Sequence, residues 1–411
     1  MEPTVAVASV KGNDVEQAVR DAVRLAGGLE DLINGTSRVL VKPNLWSPQR
    51  SGTGSITDSR VTEAVTRLVL EHGPHSVIIG EGCGAGYDGF GWSTEEAFTM
   101  SGTRDAAERL GVELRNLNTD TYEDVRIENA LVMDRVRISR TALESDVIIG
   151  VPVLKSHKRT DITLSLKNMK GVIHGAEKRK THRLGLDQAI VDLNSVVCPH
   201  FVVLDATVGM QGLWSYPEDC IPVGLILAGR HALSVDLAGA DLMGVDPRRV
   251  MHLRYMAERE GMTPDLEGVN VVGQPIAEYR KEFKAGFQAF SERYPQVTIV
   301  SGESACTGCT SELVTALTYL DKAGYSPEMG ELQVIIGDVE TVPAASRVAV
   351  LGRCAAQHAH LGPFAEGCAP SEERVVRVLC EACGADVSRV LEIRDRVREE
   401  MWESSRQSLE S

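Results

Sequence analysis

Short apolar segments rich in Val and Ile alternate with helical segments through the first two thirds of the chain. The predicted strands are Thr4–Val10, Arg38–Val41, Ser76–Ile79, Asp146–Val151, Phe201–Asp205 and Gly224–Ala228. The predicted helices between them include Val15–Leu25, Arg60–Glu71, Thr103–Leu110 and Leu233–Leu242. This alternation is typical of parallel sheets covered by helices. We therefore expect an α/β fold with a mostly parallel sheet, in which ligands bind beyond the carboxyl ends of the strands.

The chain of 411 residues is long enough for two or three domains. We predict a large α/β domain over 1–260, a junction over 261–296, a smaller cysteine-containing α/β domain over 297–390 and a helical, polar tail over 391–411. The junction is punctuated by Pro and Gly and ends in a charged segment, Glu278–Tyr294, that we predict to be helical.

The formal net charge of −15 argues against indiscriminate binding to nucleic acid. The sequence opens on a strand-like segment without a basic leader, and no apolar run approaches the ~18 residues of a membrane span. We therefore expect a cytoplasmic protein with no membrane or nucleic-acid partner, which could form a homo-oligomer.

Cysteines are grouped in short glycine-containing frames near the end of the chain. The frames are Cys306-Thr307-Gly308-Cys309, Gly352-Arg353-Cys354 and Gly367-Cys368-Ala369-Pro370. Four thiolates on glycine-containing turns can hold an iron–sulfur cluster or a zinc ion. Nine cysteines in a cytoplasmic chain also favour metal or redox chemistry over disulfides. We predict a cluster, most simply [4Fe–4S], bound by Cys306, Cys309, Cys354 and Cys368, with zinc as the alternative.

Other cysteines leave further alternatives open. Cys380 and Cys383 form a second CxxC pair, which could supply ligands or remain a thiol pair without metal. Cys83, Cys198 and Cys220 are interpreted as buried thiols.

The segment between Val151 and Gly185 is strongly basic. Its basic residues are Lys155, His157, Lys158, Arg159, Lys167, Lys170, His174, Lys178, Arg179, Lys180, His182 and Arg183. In an acidic chain, such a segment favours binding of a carboxylate or phosphate, although a solvated basic face is the alternative. The segment Lys178–Lys180 could equally lie on the surface, outside such a site.

Polar residues stand at the ends of four predicted strands: Lys42, Glu81, Lys155 and Asp205. Because these ends share one edge of a parallel sheet, we expect a common site there. The predicted catalytic residues are Lys155, His157, Lys167, His174, Glu81 and Asp205. The predicted substrate-binding residues are Lys42, Asn44, Asn168 and Lys170.

Together these motifs resemble the domain-of-unknown-function 362 family over roughly residues 1–255. The matching landmarks are Lys42-Pro43-Asn44, Gly80-Glu81, Val153–His157, Leu166–Gly171, Leu204–Ala206, Gly209–Gly212 and Asp236 with Asp241–Gly244. Many members of that family look like iron–sulfur proteins with a compact ferredoxin-like module, which this chain lacks. Its cysteine frames instead resemble the cluster-binding part of hydrogenase small subunits. Neither resemblance supplies a reaction.

We therefore expect an iron–sulfur oxidoreductase that acts on a small anionic substrate and exchanges electrons with a ferredoxin-type donor. One alternative is a non-redox lyase, racemase or transferase that uses Lys and His for acid–base chemistry beside a structural metal. Another is an electron carrier or assembly protein without a substrate.

Overall fold

The computed structural model describes residues 2–84, 93–157, 160–212, 219–284, 286–302, 304–305 and 307–407. Cys306, one of the predicted metal ligands, lies outside the described residues, as do Lys158 and Arg159. The chain divides into two compact units, Met1–Lys284 (unit 1) and Ala285–Ser411 (unit 2). The division falls inside the segment predicted as a junction.

Unit 1 alternates strands and helices along most of its length. Its strands are β1 (Thr4–Ser9), β2 (Arg38–Pro43), β3 (Ser76–Glu81), β4 (Glu113–Asn116), β5 (Tyr122–Arg126), β6 (Arg135–Ser139), β7 (Val147–Val151), β8 (Val153–His157), β9 (Asp161–Ile162), β10 (Phe201–Met210), β11 (Cys220–Gly229) and β12 (Asn270–Gly273). Its helices are α1 (Val15–Leu25), α2 (Ser59–Glu71), α3 (Thr94–Met100), α4 (Thr103–Leu110), α5 (Arg140–Glu144), α6 (Leu164–Asn168), α7 (Gly175–Leu184), α8 (Leu186–Asn194), α9 (Ala232–Leu242), α10 (Met251–Glu260) and α11 (Ile276–Tyr279).

Ten strands of unit 1 form one sheet, whose main path is β12-β1-β11-β10-β7-β2-β3-β4. The pairs from β10 to β4 are parallel, as is the pair of β1 with β12. β11 runs antiparallel to both β1 and β10. β8 extends the pairing of β10 and carries the short strand β9. The predicted α/β fold with a mostly parallel sheet is confirmed, and β11 makes the sheet mixed.

Helices cover both faces of this sheet because its strands alternate apolar side chains between the two faces. Ala6 and Ala8 of β1 pack with α1 and α2 in one core. Val5 and Val7 face the other core, which includes α6, α8, α9 and α10. α9 is buried on almost every side, as its apolar composition requires.

Unit 2 is built on a small parallel sheet in the order β13 (Val297–Ser301), β14 (Leu332–Ile336), β15 (Arg347–Leu351) and β16 (Phe364–Ala365). Its helices are α12 (Gly286–Arg293), α13 (Thr307–Lys322), α14 (Glu372–Cys383) and α15 (Val387–Gln407). This is the smaller α/β sheet expected around the cysteine frames.

The segment 261–296 differs from the prediction in its details. Its first part belongs to unit 1, where β12 pairs with β1. The predicted helix Glu278–Tyr294 is replaced by the shorter helices α11 and α12. In the part of the chain that the structure describes, no helix is both long and apolar enough to cross a membrane.

Candidate functional site

A buried ion pair lies where β2 and β3 end. Lys42 Nζ lies 2.9 Å and 3.0 Å from the two carboxylate oxygens of Glu81, and their side chains are 0% and 4% exposed. The Glu81 carboxylate also accepts hydrogen bonds from the backbone N–H groups of Leu45 and Gly82. Burial lowers the pKa of Lys42, while the neighbouring Glu81 carboxylate opposes that shift. Each charge therefore depends on the other.

Two asparagines connect this pair to the rest of the site. Asn168 Oδ1 accepts from Lys42 Nζ at 3.1 Å and from Asn44 Nδ2 at 3.3 Å. Asn168 Nδ2 donates to the Lys42 carbonyl oxygen. The Nζ group of Lys42 is thus occupied by acceptors of the protein, so Lys42 serves the site by fixing Glu81 and Asn168.

The backbone at Gly171 packs directly against the ion pair, so closely that no side chain fits at this position. A Cβ atom on Gly171 would lie 1.9 Å from Glu81 Oε1 and 2.5 Å from Lys42 Nζ. The backbone after α6 therefore shields the ion pair from solvent.

Lys155 and His157 lie on β8, which pairs with β10. Lys155 is 2% exposed and donates to Asn44 Oδ1 and to the Ser55 carbonyl oxygen. Thr160 donates its N–H to His157 Nδ1. Burial, together with the charge of Lys167, holds the pKa of both Lys155 and His157 well below their ordinary values. Burial therefore favours the neutral forms of both groups.

Lys167 and Lys170 follow on α6 and the turn after it, and both are half-buried. Burial lowers the pKa of Lys167 to about 8, although the Asp187 carboxylate opposes the shift. Lys170 Nζ lies 3.0 Å from His182 Nε2. The positive charges of both lysines help to lower the pKa of His157 on β8. The basic residues of these neighbouring segments therefore influence one another electrostatically.

Buried polar groups fix the position of α6. Asp236 on α9 accepts hydrogen bonds from the N–H groups of Ser165 and Leu166 at 2.7 Å and 2.9 Å. Burial raises the pKa of Asp236 to about 8. Leu164, which begins the helix, is fully buried at a φ of 46°, a conformation that costs a branched side chain free energy. Such a conformation persists only where the surroundings impose it.

Lys178 is a member of the site that the sequence did not identify. It is 4% exposed, and its Nζ donates to the Gly82 carbonyl oxygen at 2.6 Å and to Asn118 Oδ1 at 2.7 Å. Burial lowers its pKa to about 8. The sequence of α7 could have indicated this burial. It lacks apolar residues at helical spacing, so whichever face of the helix packs inward must bury a polar side chain.

We expect Lys178→Met to change how stability depends on pH. Because the folded-state pKa is lowered from 10.5 to about 8, the unfolded chain binds more protons between these values. The contribution of Lys178 is thus present above the unfolded pKa and is lost as pH falls towards 8. As pH rises from about 8 to 10.5, the free energy of unfolding of wild type should increase by up to about 3 kcal/mol relative to that of the variant. Urea unfolding at both ends of this range measures the difference.

The control for this comparison is Lys180→Met, since the Lys180 side chain is 38% exposed. Its pH dependence should follow that of wild type. Parallel curves for wild type and Lys178→Met would contradict a lowered pKa at Lys178.

Two other predicted site residues have contacts of a structural kind. Asp205 is buried and accepts from the N–H groups of Asp58 and Thr207, so it fixes the start of α2. Burial, with the nearby Asp58 carboxylate, raises its pKa to about 6. His174 begins α7, accepts from the Ala176 N–H and packs edge-on against Tyr122. These contacts account for both residues without a substrate.

In unit 2, cysteine-bearing turns come together at the carboxyl edge of the small sheet. Gly352 has a φ of 91°, and a Cβ atom there would lie 2.6 Å from Cys309 Sγ. The Arg353 N–H donates to the Gly367 carbonyl oxygen at 2.8 Å. The turns that carry Cys354 and Cys368 are therefore adjacent, and Cys309 borders them.

The thiols of these turns differ in exposure. Cys309 is buried, Cys368 is half-buried and Cys354 is exposed. Among the described residues, which do not include Cys306, no group of three or more His, Cys, Asp or Glu side chains is arranged to hold a metal ion. The backbone frame thus suits a thiolate site, whereas the described side chains do not form a closed ligand set.

The remaining cysteines are less suited to ligation. Cys380 and Cys383 are both buried on α14, and burial raises the pKa of Cys380 to about 12 and also raises that of Cys383. Their thiolate forms are therefore disfavoured. Cys83 is buried as predicted, but Cys198 and Cys220 are partly exposed.

The fold and the site define an α/β protein with a buried cluster of lysines at the carboxyl edge of its main sheet. Residues 39–241 match the family model described as Domain of unknown function (DUF362). The resemblance inferred from the motifs is confirmed over these residues.

Similarity to individual proteins is more distant. The chain is 26% identical over 262 residues to the thylakoid-associated protein sll1697 of Synechocystis sp. (strain ATCC 27184 / PCC 6803 / Kazusa), which covers 62% of this chain and 78% of that protein. Among solved structures, the chain is similar to the lactate racemase apoprotein from Thermoanaerobacterium thermosaccharolyticum, with 11% identity, a TM-score of 0.40 and coverage of 81% of this chain and 68% of that chain. Neither likeness identifies a reaction for this chain.

Proposed function

We propose that this protein is an iron–sulfur oxidoreductase that acts on a small carboxylate- or phosphate-bearing substrate. The observation that supports this most directly is the convergence of the cysteine-bearing turns at one edge of the small sheet. Cys309 lies against Gly352, and the turns of Cys354 and Cys368 are joined through backbone hydrogen bonding. With Cys306 from the same CxxC frame, these turns offer the four thiolates that a [4Fe–4S] cluster requires.

When bound, such a cluster supplies or accepts electrons one at a time, in exchange with a ferredoxin-type partner. Cys306, Cys309, Cys354 and Cys368 would hold it, since Cys380 and Cys383 favour the protonated form. Zinc would use the same ligand set without redox chemistry.

Unit 1 supplies the groups that handle the substrate. Lys167 is half-buried, and because its pKa is about 8 it remains largely protonated near pH 7, so it attracts an anion and can donate a proton. Lys155 and His157, whose neutral forms are favoured by burial, would accept protons. Reduction of a carbonyl or a double bond requires proton donors placed in this way.

A second function is favoured by one observation. The lysines and the histidine with lowered pKa values all lie in unit 1, and their acid–base chemistry requires no electrons. A lyase, racemase or transferase with a structural metal in unit 2 would use the same residues. Metal analysis separates this class from the oxidoreductase.

We expect wild-type protein purified without oxygen to carry about four iron and four sulfide per chain. Cys354→Ser should lose most of both, because it removes one thiolate ligand. Since Cys354 is exposed, the substitution should leave the packing of unit 2 intact. Iron, sulfide and zinc analysis with a visible spectrum measures the result.

Cys220→Ser is the matched control, because Cys220 lies on β11 of unit 1 and belongs to none of the cysteine frames. It should retain iron and colour. Zinc in place of iron in wild type, or equal iron in Cys354→Ser and wild type, would refute the assigned cluster.

A further inference from the structure

Lys167 differs from the other lysines of the site in having an amine that the protein does not engage. Lys42, Lys155 and Lys178 donate to fixed acceptors within unit 1, and Lys170 lies against His182. Within the described ranges of the chain, Lys167 Nζ has no hydrogen-bond or ion-pair partner, although its side chain is half-buried. A half-buried amine without a partner loses solvation without compensation, as is expected of a group that meets a ligand.

The backbone that carries Lys167 is held from several sides. Asp236 binds the N–H groups at the start of α6, and Asn194 Nδ2 donates to the Leu166 carbonyl oxygen at 2.8 Å. The next residue, Asn168, is bonded to both Lys42 and Asn44. The Lys167 side chain therefore extends from a rigid base, which reduces the entropy lost when its amine reacts.

The surroundings also favour a reactive amine. Burial lowers the pKa of Lys167 to about 8, so its neutral, nucleophilic fraction near pH 7 is much larger than that of an ordinary lysine. The positive charge of Lys167 also helps to lower the pKa of the buried His157, so the two side chains share one electrostatic environment.

We propose that Lys167 forms a reversible imine with a small aldehyde or keto acid. The amine nitrogen bonds to the carbonyl carbon, and the carbonyl π electrons move to oxygen, which takes up a proton. The nitrogen then loses a proton, the oxygen takes up a second proton and leaves as water, and the C=N bond forms as a protonated imine. The step consumes no oxidant or reductant. It goes beyond the proposed function because it requires no metal, and it names a carbonyl compound as the substrate class.

Borohydride trapping tests this inference on the full-length protein. Glyoxylate serves as the probe because it combines an aldehyde with a carboxylate, and cyanoborohydride reduces the imine to a stable carboxymethyl-lysine. We expect peptide mapping to place the modification on Lys167 at a rate about tenfold or more above that of ordinary lysines near pH 7. Lys11 and Lys281 are the internal references, since both are exposed.

Lys167→Arg preserves the positive charge but cannot form an imine, so it should abolish the fast modification while thermal unfolding stays close to wild type. The control Lys281→Arg should leave the fast modification of Lys167 unchanged. Modification of Lys167 no faster than Lys11 and Lys281 would overturn the proposal. Trapping does not depend on iron. Failure of the imine proposal, seen as no fast trapping, is therefore distinguishable from failure of the proposed iron–sulfur function, seen as absence of iron.

Discussion

Replacement of Lys42 by methionine is expected to lower the free energy of unfolding by about 3–5 kcal/mol, the range seen when one member of a buried ion pair is removed. The reason is the burial of the pair, with Lys42 0% and Glu81 4% exposed at their side chains. Methionine fills a similar volume but leaves the Glu81 carboxylate without its cation. Glu81 must then take up a proton or remain buried as a charge without its cation. Urea unfolding near pH 7 measures the loss.

A double-mutant cycle separates the pair from the individual side chains. Glu81→Gln alone should also destabilise, because it leaves the Lys42 ammonium buried opposite a neutral amide. The double variant Lys42→Met/Glu81→Gln should cost less than the sum of the single variants, with a coupling of at least about 1 kcal/mol. Lys11→Met, at an exposed lysine, should change stability by no more than about 0.5 kcal/mol. Additive single effects would show that the two charges do not depend on each other.

The second large effect is expected for Gly171→Ala. The added Cβ atom would lie 1.9 Å from Glu81 Oε1 and 2.5 Å from Lys42 Nζ. Because both groups are fixed by several hydrogen bonds, either the ion pair or the turn after α6 must move. Overpacking and disruption of the pair together should cost about 3 kcal/mol or more. Thermal and urea unfolding against wild type test this value.

Gly35→Ala provides the matched control, since the nearest atom to its Cβ would be 3.8 Å away. We expect its stability to remain within about 0.5 kcal/mol of wild type. If Gly171→Ala were equally mild, the ion pair would have room to move, contrary to the close approach described above.

Much of the fold could be predicted because local patterns coincide with the elements that form. The predicted helices Val15–Leu25 and Thr103–Leu110 have the same bounds in the structure. The direction of β11 could not be predicted in this way, because an apolar strand has the same pattern whether it runs parallel or antiparallel. The prediction of a single helix over Glu278–Tyr294 was wrong, because the N–H groups of Lys281 and Phe283 bond to the carbonyl oxygens of Leu242 and Met243 instead of continuing a helix.

The candidate site was predictable only in part. Lys42, Glu81 and Lys155 could be selected because each follows an apolar strand, and such positions share one edge of a parallel sheet. Their hydrogen-bond partners could not be predicted, because Lys42 and Asn168 meet across 126 positions of sequence. Lys178 was missed because its burial depends on how α7 packs, and no apolar pattern in α7 indicates that face.

The pairing of β12 with β1 places the first and last strands of unit 1 side by side at one border of the main sheet. The lysine site lies several strands away, where β2 and β3 end. Adjacent termini are a feature of domains that accept circular permutation and gene fusion. A different module can therefore follow unit 1 without disturbing the lysine site.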